Sequence, residues 1–285
     1  MILLDGKKVA AQKTIELQQR INVLKQKPVC VIIQVGDLFE SNKYIANKMK
    51  KAQELGIEIS LQKFNDLQIS QTDLINYIKN LINLHPVKSH LGIIVQLPLP
   101  IDFDKQLILD TIDPTCDIDG LSTTNMNNFY QDQKPFMIPA TAKAILTLLN
   151  SYQIELNNKK MMVIGESNLV GKPTKHLLKK YSNDVSSRNI DTGIKDSEAV
   201  DLLVVAAGSA KLIKADNVKD QAVVVDVGIN TLNNKKVVGD VDFEAVKDKV
   251  FAISPTPGGV GPLTVISLFE NLVEKCEEFE LKNSN

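Results

Sequence analysis

The sequence carries almost no excess charge and no long apolar run. Its 33 basic and 34 acidic residues give a net charge of -1, so neither nucleic acid nor an anionic membrane surface is indicated as a main partner. The longest uninterrupted apolar run, Leu202 to Ala207, is far shorter than the ~20 residues that cross a bilayer. Met1 to Lys8 lack the charged-then-apolar order of a secretion signal. We therefore expect no membrane and no nucleic-acid partner.

Cysteine and histidine are scarce, with three of each in 285 residues. Cys30, Cys116 and Cys276 are odd in number and lack the spacing of metal ligands, which indicates reduced, packing cysteines in a cytoplasmic protein. The histidines are equally scattered, so no metal site is predicted. A composition of 44% hydrophobic and 24% charged residues is that of a globular protein, and the length allows two domains.

Proline and glycine, by contrast, are concentrated in one segment. Ser254 to Thr264 holds three prolines and three glycines in eleven residues, which predicts an interruption of both helix and strand. Glycine lets a backbone approach a ligand closely, and proline restricts the shapes that backbone adopts. A flexible linker would instead be rich in Gly and Ser. Taken alone the segment favours a structural strand-to-helix turn, but beside the motifs described below it indicates a loop that holds a ligand.

Short apolar runs alternate with helical patterns, which predicts a parallel α/β architecture in two domains. The predicted strands are Val29–Val35, Ile57–Phe64, Leu91–Gln96, Met161–Ile164, Leu202–Ala206, Ala222–Val227 and Val250–Ile253. The predicted helices are Gly6–Lys25, Ser41–Leu55 with Gly56 as C-cap, one beginning after Ser70, Thr141–Tyr152, Lys172–Leu178 and Thr264–Leu281. We place the seam around Pro139 to Asn158, which gives one domain of residues 1–140 with 264–285 and another of residues 141–263.

Ser41, Tyr44 and Lys48 are spaced to lie on one stripe of a helix. A neighbouring stripe is apolar and would pack on the core, so the polar stripe would border a cleft. A partly buried lysine is suited to acid–base work, although an ordinary solvated Lys/Tyr pair has the same spacing. Tyr-x-x-x-Lys also occurs in short-chain dehydrogenases, where a nucleotide loop precedes it. Here the nucleotide-like loop follows the pair by more than a hundred residues, which argues against that family.

Polar side chains also follow the predicted strand that ends at Val95. Gln96 would lie at the carboxyl end of this strand, where open α/β sheets bind ligands, although such residues often only bond a neighbouring loop. Asp117 and Asp119 precede Gly120 and could shape a turn or accept hydrogen bonds from a polar heterocycle. Metal binding is less favoured, since no further ligand accompanies the two aspartates.

A second group of motifs is typical of nucleotide binding. Met161 to Gly171 is predicted as strand and loop, and the helix that follows would turn its first backbone amides toward a pyrophosphate. The signal is weak alone, because the segment lacks G-x-G-x-x-G. Asp226 to Asn230 and Gly239 to Phe243 add two loops that could close round a nucleotide.

In this order the motifs resemble the bifunctional methylenetetrahydrofolate dehydrogenase / methenyltetrahydrofolate cyclohydrolase family. The matching pieces are Ser41-x-x-Tyr44-x-x-x-Lys48, Val95-Gln-Leu-Pro-Leu-Pro100, Asp117-Ile-Asp-Gly120, Gly165-x-Ser-x-x-Val-Gly171, Asp226-Val-Gly-Ile-Asn230, Gly239-Asp-Val and Pro257-Gly-Gly-Val-Gly-Pro262. The resemblance implies a folate-binding catalytic domain and a Rossmann-like dinucleotide domain, with a cleft between them, in a homodimer. It also implies oxidation of 5,10-methylenetetrahydrofolate with NAD(P)+ and hydrolysis of the methenyl product to 10-formyltetrahydrofolate, in one-carbon metabolism.

The resemblance also assigns roles by position. Lys48 would be the central acid–base residue of the hydrolysis, positioned by Gln96, while Tyr44 packs on the folate and Asp119 bonds the pterin. The implied catalytic group is Lys48, Tyr44, Gln96, Asp119 and Ser41. The implied folate-binding residues are Tyr44, Asp119, Pro257, Gly258, Gly259 and Gly261. The implied dinucleotide-binding residues are Gly165, Glu166, Ser167, Gly171, Gly208 and Ile229.

Three departures from the family pattern bear on the cofactor and the seam. Glu166 replaces an arginine, and Arg188 to Ile190 align with Cys-His-Ser; in NADP-using members that arginine and serine face the 2′-phosphate. A glutamate repels the phosphate but accepts a ribose hydroxyl, so NAD is slightly favoured over NADP. Alternatively, the dinucleotide site has been lost and only the cyclohydrolase remains, or Arg188 holds the phosphate from the neighbouring strand. Pro139 to Ala144 replace a Pro-Cys-Thr-Pro-x-Gly hinge, which predicts a longer helix there.

Two hypotheses that assign the protein another function remain open at this point. A non-catalytic folate- or nucleotide-binding protein would explain the altered cofactor loop, but binding alone would not require Lys48. An amino-acid or shikimate-type dehydrogenase has a similar two-domain organisation, but the Pro/Gly segment does not support it.

Overall fold

A computed structural model describes residues 1–134, 137–232 and 236–283. The strands are β1 Ile2–Leu3, β2 Val29–Val35, β3 Glu58–Phe64, β4 Leu91–Val95, β5 Met161–Ile164, β6 Val185–Arg188, β7 Leu202–Val205, β8 Val223–Asp226, β9 Asn230–Thr231, β10 Val237–Val238 and β11 Ala252–Ile253. The helices are α1 Gly6–Asn22, α2 Phe39–Leu55, α3 Gln71–Leu84, α4 Lys105–Thr111, α5 Thr123–Tyr130, α6 Ala140–Ser151, α7 Gly171–Leu178, α8 Phe243–Val246 and α9 Val260–Lys282.

The chain divides into two compact units. One consists of Met1–Gln12 and Thr141–Thr264, and the other of Lys13–Ala140 and Val265–Asn285. The predicted domain of residues 1–140 with 264–285 differs from this division at the N-terminus, because residues 1–12 belong to the unit that contains Thr141–Thr264. The reason is that β1 pairs in parallel with β11, which joins the first residues to the larger sheet. A two-residue strand leaves no periodicity that a sequence could reveal.

The unit of Lys13–Ala140 and Val265–Asn285 is built on a three-stranded parallel sheet in the order β3-β2-β4. Alternate residues of β2 and β4 point to one face, where they pack with α3 and α4 in a buried cluster. The opposite face is also covered, since all of β2 after Val29 is buried. This burial on both faces explains why every residue of β2 except Gln34 is apolar.

The unit of Met1–Gln12 and Thr141–Thr264 contains a six-stranded sheet in the order β1-β11-β8-β7-β5-β6. All of its pairings are parallel. The chain passes from β5 to β6 on one side and then returns to β7 on the other side. The carboxyl ends of β5 and β7 therefore form a topological switch point, which is where doubly wound sheets bind nucleotides.

The predicted strands are found with small changes at their ends, and the predicted caps are in place. Ser70 accepts a hydrogen bond from the backbone N–H of Asp73 and so caps α3, and Gly56 ends α2 in a left-handed conformation. Helix α6 begins at Ala140, one residue before the predicted start, and includes the altered hinge segment after Pro139.

The expectation that the Pro/Gly segment is entirely non-helical is wrong at its end. Helix α9 begins at Val260, four residues before the predicted start at Thr264. Gly261 and Pro262 lie in the first turn, where a backbone N–H has no partner within the helix. Proline is tolerated there because it removes no helical hydrogen bond.

The three cysteines are free and buried, which confirms that they pack in the interior. Burial raises the pKa of the Cys30 thiol to about 12, and that of Cys276 likewise to about 12. Among the described residues, no helix is both long enough and apolar enough to span a membrane.

Candidate active site

Lys48 and Gln96 are joined by a direct hydrogen bond. Lys48 Nζ donates to Gln96 Oε1 over 2.9 Å. The amide nitrogen of Gln96 in turn donates to the carbonyl oxygen of Leu97 over 2.7 Å, so both ends of the amide are used. Gln96 is only 9% exposed, which leaves its side chain little freedom to turn. The amide therefore holds the lysine amine at a defined point.

The location of this pair follows from the sheet. The backbone N–H of Gln96 donates to the carbonyl of Ile33 over 2.8 Å, which extends the pairing of β2 with β4 by one residue. The chain leaves β2 through α2 to β3 on one side and returns to β4 on the other. Gln96 thus lies at a topological switch point of the smaller sheet, where ligand-binding residues are expected.

Helix α2 brings the lysine to this point because of its amphipathic pattern. Ile45 and Ala52 are buried and hold the helix on the core, while Lys48 is partly buried beside them. The other members of the predicted stripe differ in exposure. Ser41 is buried, whereas the ring of Tyr44 is 44% exposed, as a side chain that packs on a ligand would be.

The two aspartates of the Asp-Ile-Asp-Gly motif have separate roles. Asp117 is buried and shapes the turn, since its carboxylate accepts the backbone N–H groups of Gly120 and Ser122. Asn125 Nδ2 donates to the same carboxylate over 2.9 Å. These contacts confirm the interpretation that Asp117 shapes the turn.

The carboxyl group of Asp119 is influenced by the charge of Lys48. Burial raises the pKa of Asp119 above its ordinary value, while the charge of Lys48 lowers it and that of Asp117 raises it. Burial raises the pKa of Cys30, the charge of Lys48 lowers it and that of Asp119 raises it, so both charged groups act on this thiol. Of the predicted catalytic group, the structure thus joins Lys48 to Gln96 by a hydrogen bond and places Asp119 within range of the lysine charge.

The predicted folate-binding residues Pro257 to Gly261 belong to the other compact unit. Gly258 has a φ of 116°, and a Cβ on Gly259 would meet Pro255 O at 2.7 Å, so local structure alone explains both glycines. A Cβ on Gly261 would meet nothing within 4 Å. Packing does not require a glycine at 261, whereas a close-fitting ligand would.

The loop that joins β5 to α7 is closed by two interlocked glycines. A Cβ on Gly165 would lie 2.1 Å from Ala206 O, and one on Gly171 would lie 1.8 Å from Gly165 O. Close packing of the loop on itself and on the end of β7 therefore explains both glycines, at the switch point of the larger sheet. Ser167 stabilises it, because its hydroxyl accepts the Val170 N–H and its carbonyl accepts the Lys172 N–H. The position of this turn fits a dinucleotide, although some of the amides predicted to face a pyrophosphate are already used by Ser167.

Glu166 lies against the carboxyl end of β6. Ser187 Oγ donates to Glu166 Oε1 over 2.6 Å, and Asn189 Nδ2 donates to Glu166 Oε2 over 3.3 Å. Arg188 is engaged elsewhere, because its guanidinium pairs with Asp196 over 3.3 Å and donates to the Ser187 carbonyl. The alternative in which Arg188 holds a phosphate beside Glu166 therefore has little support.

The loops that carry Gly208 and Ile229 are fastened by a buried carboxylate that sequence reasoning did not single out. Asp240 accepts the backbone N–H groups of Ala207 and Gly208, over 2.6 and 2.9 Å. It also accepts Asn230 Nδ2 over 2.8 Å, and Ile229 between these contacts is 49% exposed. The motif Gly239-Asp-Val was visible in the sequence, but the contacts that define its role depend on three separate loops.

Two family models match the chain. The model described as the tetrahydrofolate dehydrogenase/cyclohydrolase catalytic domain matches residues 4–119, and the one described as the NAD(P)-binding domain of the same enzymes matches residues 139–280. A bifunctional protein FolD from Mycoplasma mobile is 52% identical over the full length of both chains.

The chain belongs to the tetrahydrofolate dehydrogenase/cyclohydrolase family.

Solved structures of this family share its fold. The crystal structure of the bifunctional enzyme FolD from Campylobacter jejuni is 38% identical, with a TM-score of 0.93 over 98% of this chain and 99% of that one. The Trypanosoma brucei FolD structure, complexed with NADP and an inhibitor, is 28% identical with a TM-score of 0.90 over 98% of both chains. Membership of the tetrahydrofolate dehydrogenase/cyclohydrolase family confirms the resemblance and the two-domain α/β fold, and it decides against a shikimate-type dehydrogenase.

Proposed function

We propose that Lys48, held by Gln96 and electrostatically linked to Asp119, is the acid–base residue with which this chain hydrolyses a methenyl-folate. As a member of its family the chain is a bifunctional enzyme. It oxidises 5,10-methylenetetrahydrofolate to 5,10-methenyltetrahydrofolate with NAD(P)+ and hydrolyses the product to 10-formyltetrahydrofolate. The observation that carries the residue assignment is the 2.9 Å hydrogen bond between Lys48 Nζ and Gln96 Oε1.

Hydrolysis requires that protons be moved. Water adds through its oxygen to the methenyl carbon and loses one proton. The resulting hydroxyl group loses the second proton as it becomes the formyl oxygen, and a ring nitrogen gains a proton as its bond to that carbon breaks, so one proton is released overall. A lysine amine can take a proton from the water or hydroxyl and return one to the nitrogen. Gln96 keeps the amine in place without adding a charge that would compete for the proton. Asp119 supplies a carboxyl group that can bond polar atoms of the folate.

Oxidation makes smaller demands on the protein. The nicotinamide ring, when bound, supplies the hydride acceptor, and transfer of a hydride needs no protein base. The contribution of the chain is to hold the two reactants in position. Gly165 and Gly171 serve this task indirectly, since they allow the tight turn at the switch point of the larger sheet, where a dinucleotide would lie. The retained turn supports a working dinucleotide site over a decayed one.

We further propose that NAD+ is preferred to NADP+. The Glu166 carboxylate, bonded by Ser187 and Asn189 at the end of β6, would repel a 2′-phosphate and accept a hydrogen bond from a 2′-hydroxyl. Steady-state kcat/KM values with each cofactor test this. A preference for NADP+ of tenfold or more, about 1.4 kcal/mol, would contradict it.

We assign folate binding to the unit of Lys13–Ala140 and Val265–Asn285, and we keep Pro257 to Gly261 as predicted folate-binding residues. We also propose a homodimer, from the family resemblance, and a cytoplasmic location, from the three free and buried thiols. Light scattering on the purified chain tests the dimer: a mass near 31.5 kDa, that of one chain, would contradict it.

For the hydrolytic role the test is replacement of Lys48 by methionine, which keeps the length of the side chain and removes the amine. Lys50→Met on the same helix is the matched control, because Lys50 is exposed. Only the change at position 48 is expected to abolish the hydrolysis of methenyl-folate.

A further inference from the structure

Lys175 joins the Glu166 site through Ser187. Lys175 Nζ donates to Ser187 Oγ over 3.0 Å, and the same hydroxyl donates to Glu166 Oε1 over 2.6 Å. The three side chains come from three elements: the lysine from α7, the serine from β6 and the glutamate from the loop after β5. Lys175 is partly buried, while Glu166 is exposed. The result is a chain of cation, hydroxyl and carboxylate in which the carboxylate is the outermost member.

These three side chains lie where dinucleotide-binding sheets determine their cofactor specificity. In such sheets the residues at the carboxyl end of the second strand face the 2′ position of the adenosine ribose. Here β6 is that second strand, lying beside β5, and Ser187 is its third residue. The hydroxyl of Ser187 is therefore shared between a carboxylate and an ammonium group at the 2′ subsite.

We propose that Lys175 is a further specificity-determining residue of this subsite, which together with Ser187 forms a phosphate-competent pair that Glu166 keeps occupied. The inference rests on the proposed use of a dinucleotide by this chain. An ammonium group and a hydroxyl commonly donate hydrogen bonds to phosphate, but the Glu166 carboxylate accepts the hydroxyl's hydrogen bond and offsets the positive charge of the lysine. Arg188 takes no part, because it pairs with Asp196.

Glutamine at position 166 is nearly the same size as glutamate and removes the repulsion. The Ser187 hydroxyl and the Lys175 ammonium group then become available to a phosphate, and the side chain of Glu166→Gln can itself donate a hydrogen bond. Two contributions are therefore possible in this variant, and only a second change at Lys175 separates them.

The test measures the binding of 2′,5′-ADP and of 5′-AMP by calorimetry to four proteins: the unmodified chain, E166Q, E166Q/K175M and E166Q/K179M. These probes differ only in the 2′-phosphate. Lys179 follows Lys175 by one helical turn and is exposed, so its replacement controls for the loss of one positive charge at long range. Circular dichroism confirms that each variant is folded, and NAD+ binding is measured beside the probes.

We expect E166Q to bind 2′,5′-ADP at least about tenfold more tightly than the unmodified chain, with 5′-AMP changed less than about threefold. E166Q/K175M should lose most of that gain, and E166Q/K179M should keep it. Equal affinity of E166Q and E166Q/K175M for 2′,5′-ADP would overturn the role of Lys175, and so would the absence of any gain in E166Q. Failure of every protein to bind NAD+ and 5′-AMP would instead overturn the proposed dinucleotide use, and the inference with it.

Discussion

Asp226 and Asp240 are packed reciprocally. The Asp226 carboxylate lies against Gly239, which precedes Asp240, and the Asp240 carboxylate lies against Gly228, two residues after Asp226. Asp226 Oδ2 lies 1.7 Å from where a Cβ on Gly239 would be, and Asp240 Oδ1 lies 2.2 Å from where a Cβ on Gly228 would be. The backbone N–H of Asp240 also donates to Asp226 Oδ1 over 3.0 Å. Both carboxylates are buried. The motifs Asp226-Val-Gly and Gly239-Asp thus interlock, and through Asp240 they hold the predicted cofactor residue Gly208.

This interlock predicts that Gly239→Ala is strongly destabilising. The new methyl group would displace the Asp226 carboxylate, which accepts the N–H groups of Gly228, Asp240 and Val241. We expect a loss of about 2–4 kcal/mol in the free energy of unfolding, measured by urea denaturation. Gly261→Ala is the control for stability, since a methyl group there meets nothing within 4 Å. Similar losses in the two variants would show that the interlock contributes nothing particular.

Gly261→Ala carries a separate prediction about the substrate. Because packing leaves room for a side chain at this position, a folded and stable variant is expected. If Pro257 to Gly261 line the folate, the added methyl group should raise KM for the folate roughly tenfold, a cost of about 1–1.5 kcal/mol in binding. An unchanged KM in initial-rate measurements would remove Gly261 from the predicted folate-binding residues.

The titration of Asp226 predicts a dependence of stability on pH. Burial raises the pKa of this carboxyl group from an ordinary 3.8 to about 7, although three backbone N–H groups oppose the change. A carboxyl group with a raised pKa contributes stability that is complete below its unfolded pKa and is lost as the pH rises through the folded value. The free energy of unfolding should therefore fall between pH 5 and pH 8, by on the order of 1–3 kcal/mol.

Asp226→Asn is the matched variant for this effect. Its amide oxygen can still accept N–H groups, but its NH₂ would face the Val241 N–H, so it should be less stable than the unmodified chain at pH 5. Because the asparagine has no proton to lose, the free energy of unfolding of this variant should fall much less between pH 5 and pH 8. Urea denaturation at both pH values decides: an equally steep fall in the two proteins would mean that other groups cause it.

Gln96→Ala is expected to lower the rate of hydrolysis more than the binding of folate. The amide positions Lys48 Nζ and does not itself exchange a proton, so its loss should reduce kcat about 10- to 100-fold and change KM less than about threefold. Gln96→Asn, which keeps the amide but not its reach, should recover little. A rise in KM with kcat unaltered would instead make Gln96 a folate-binding residue.

Much of the architecture was readable from the sequence, because long apolar strands and amphipathic helices leave clear periods. Strand β2 was predicted at its observed bounds for this reason. Strand β6 was not predicted: only its first residue is buried and it lies at the edge of the sheet, so its Val-Ser-Ser-Arg sequence has no apolar run. The early start of α9 was missed because proline in a first helical turn resembles the proline of a loop.

The site was predictable in its residues but not in its contacts. The spacing of Lys48 on α2 and the strand-end place of Gln96 were visible, yet nothing in either segment specifies that the two side chains meet. The division of labour between Asp117 and Asp119 depends on Asn125 and Ser122, which lie in the next element. Lys175 and Ser187 carried no signal at all, since their meeting requires α7 to pack on β6.

The central claim, that the amine of Lys48 moves protons in hydrolysis and not in hydride transfer, is tested most directly by following two signals in one reaction. Lys48→Met is supplied with 5,10-methylenetetrahydrofolate and NAD+, and NADH formation and methenyl-folate loss are recorded separately, with Lys50→Met as the control. We predict that NADH still forms while methenyl-folate accumulates, because its hydrolysis is slowed at least about 10³-fold. Methenyl-folate hydrolysed as fast by Lys48→Met as by Lys50→Met would contradict the account.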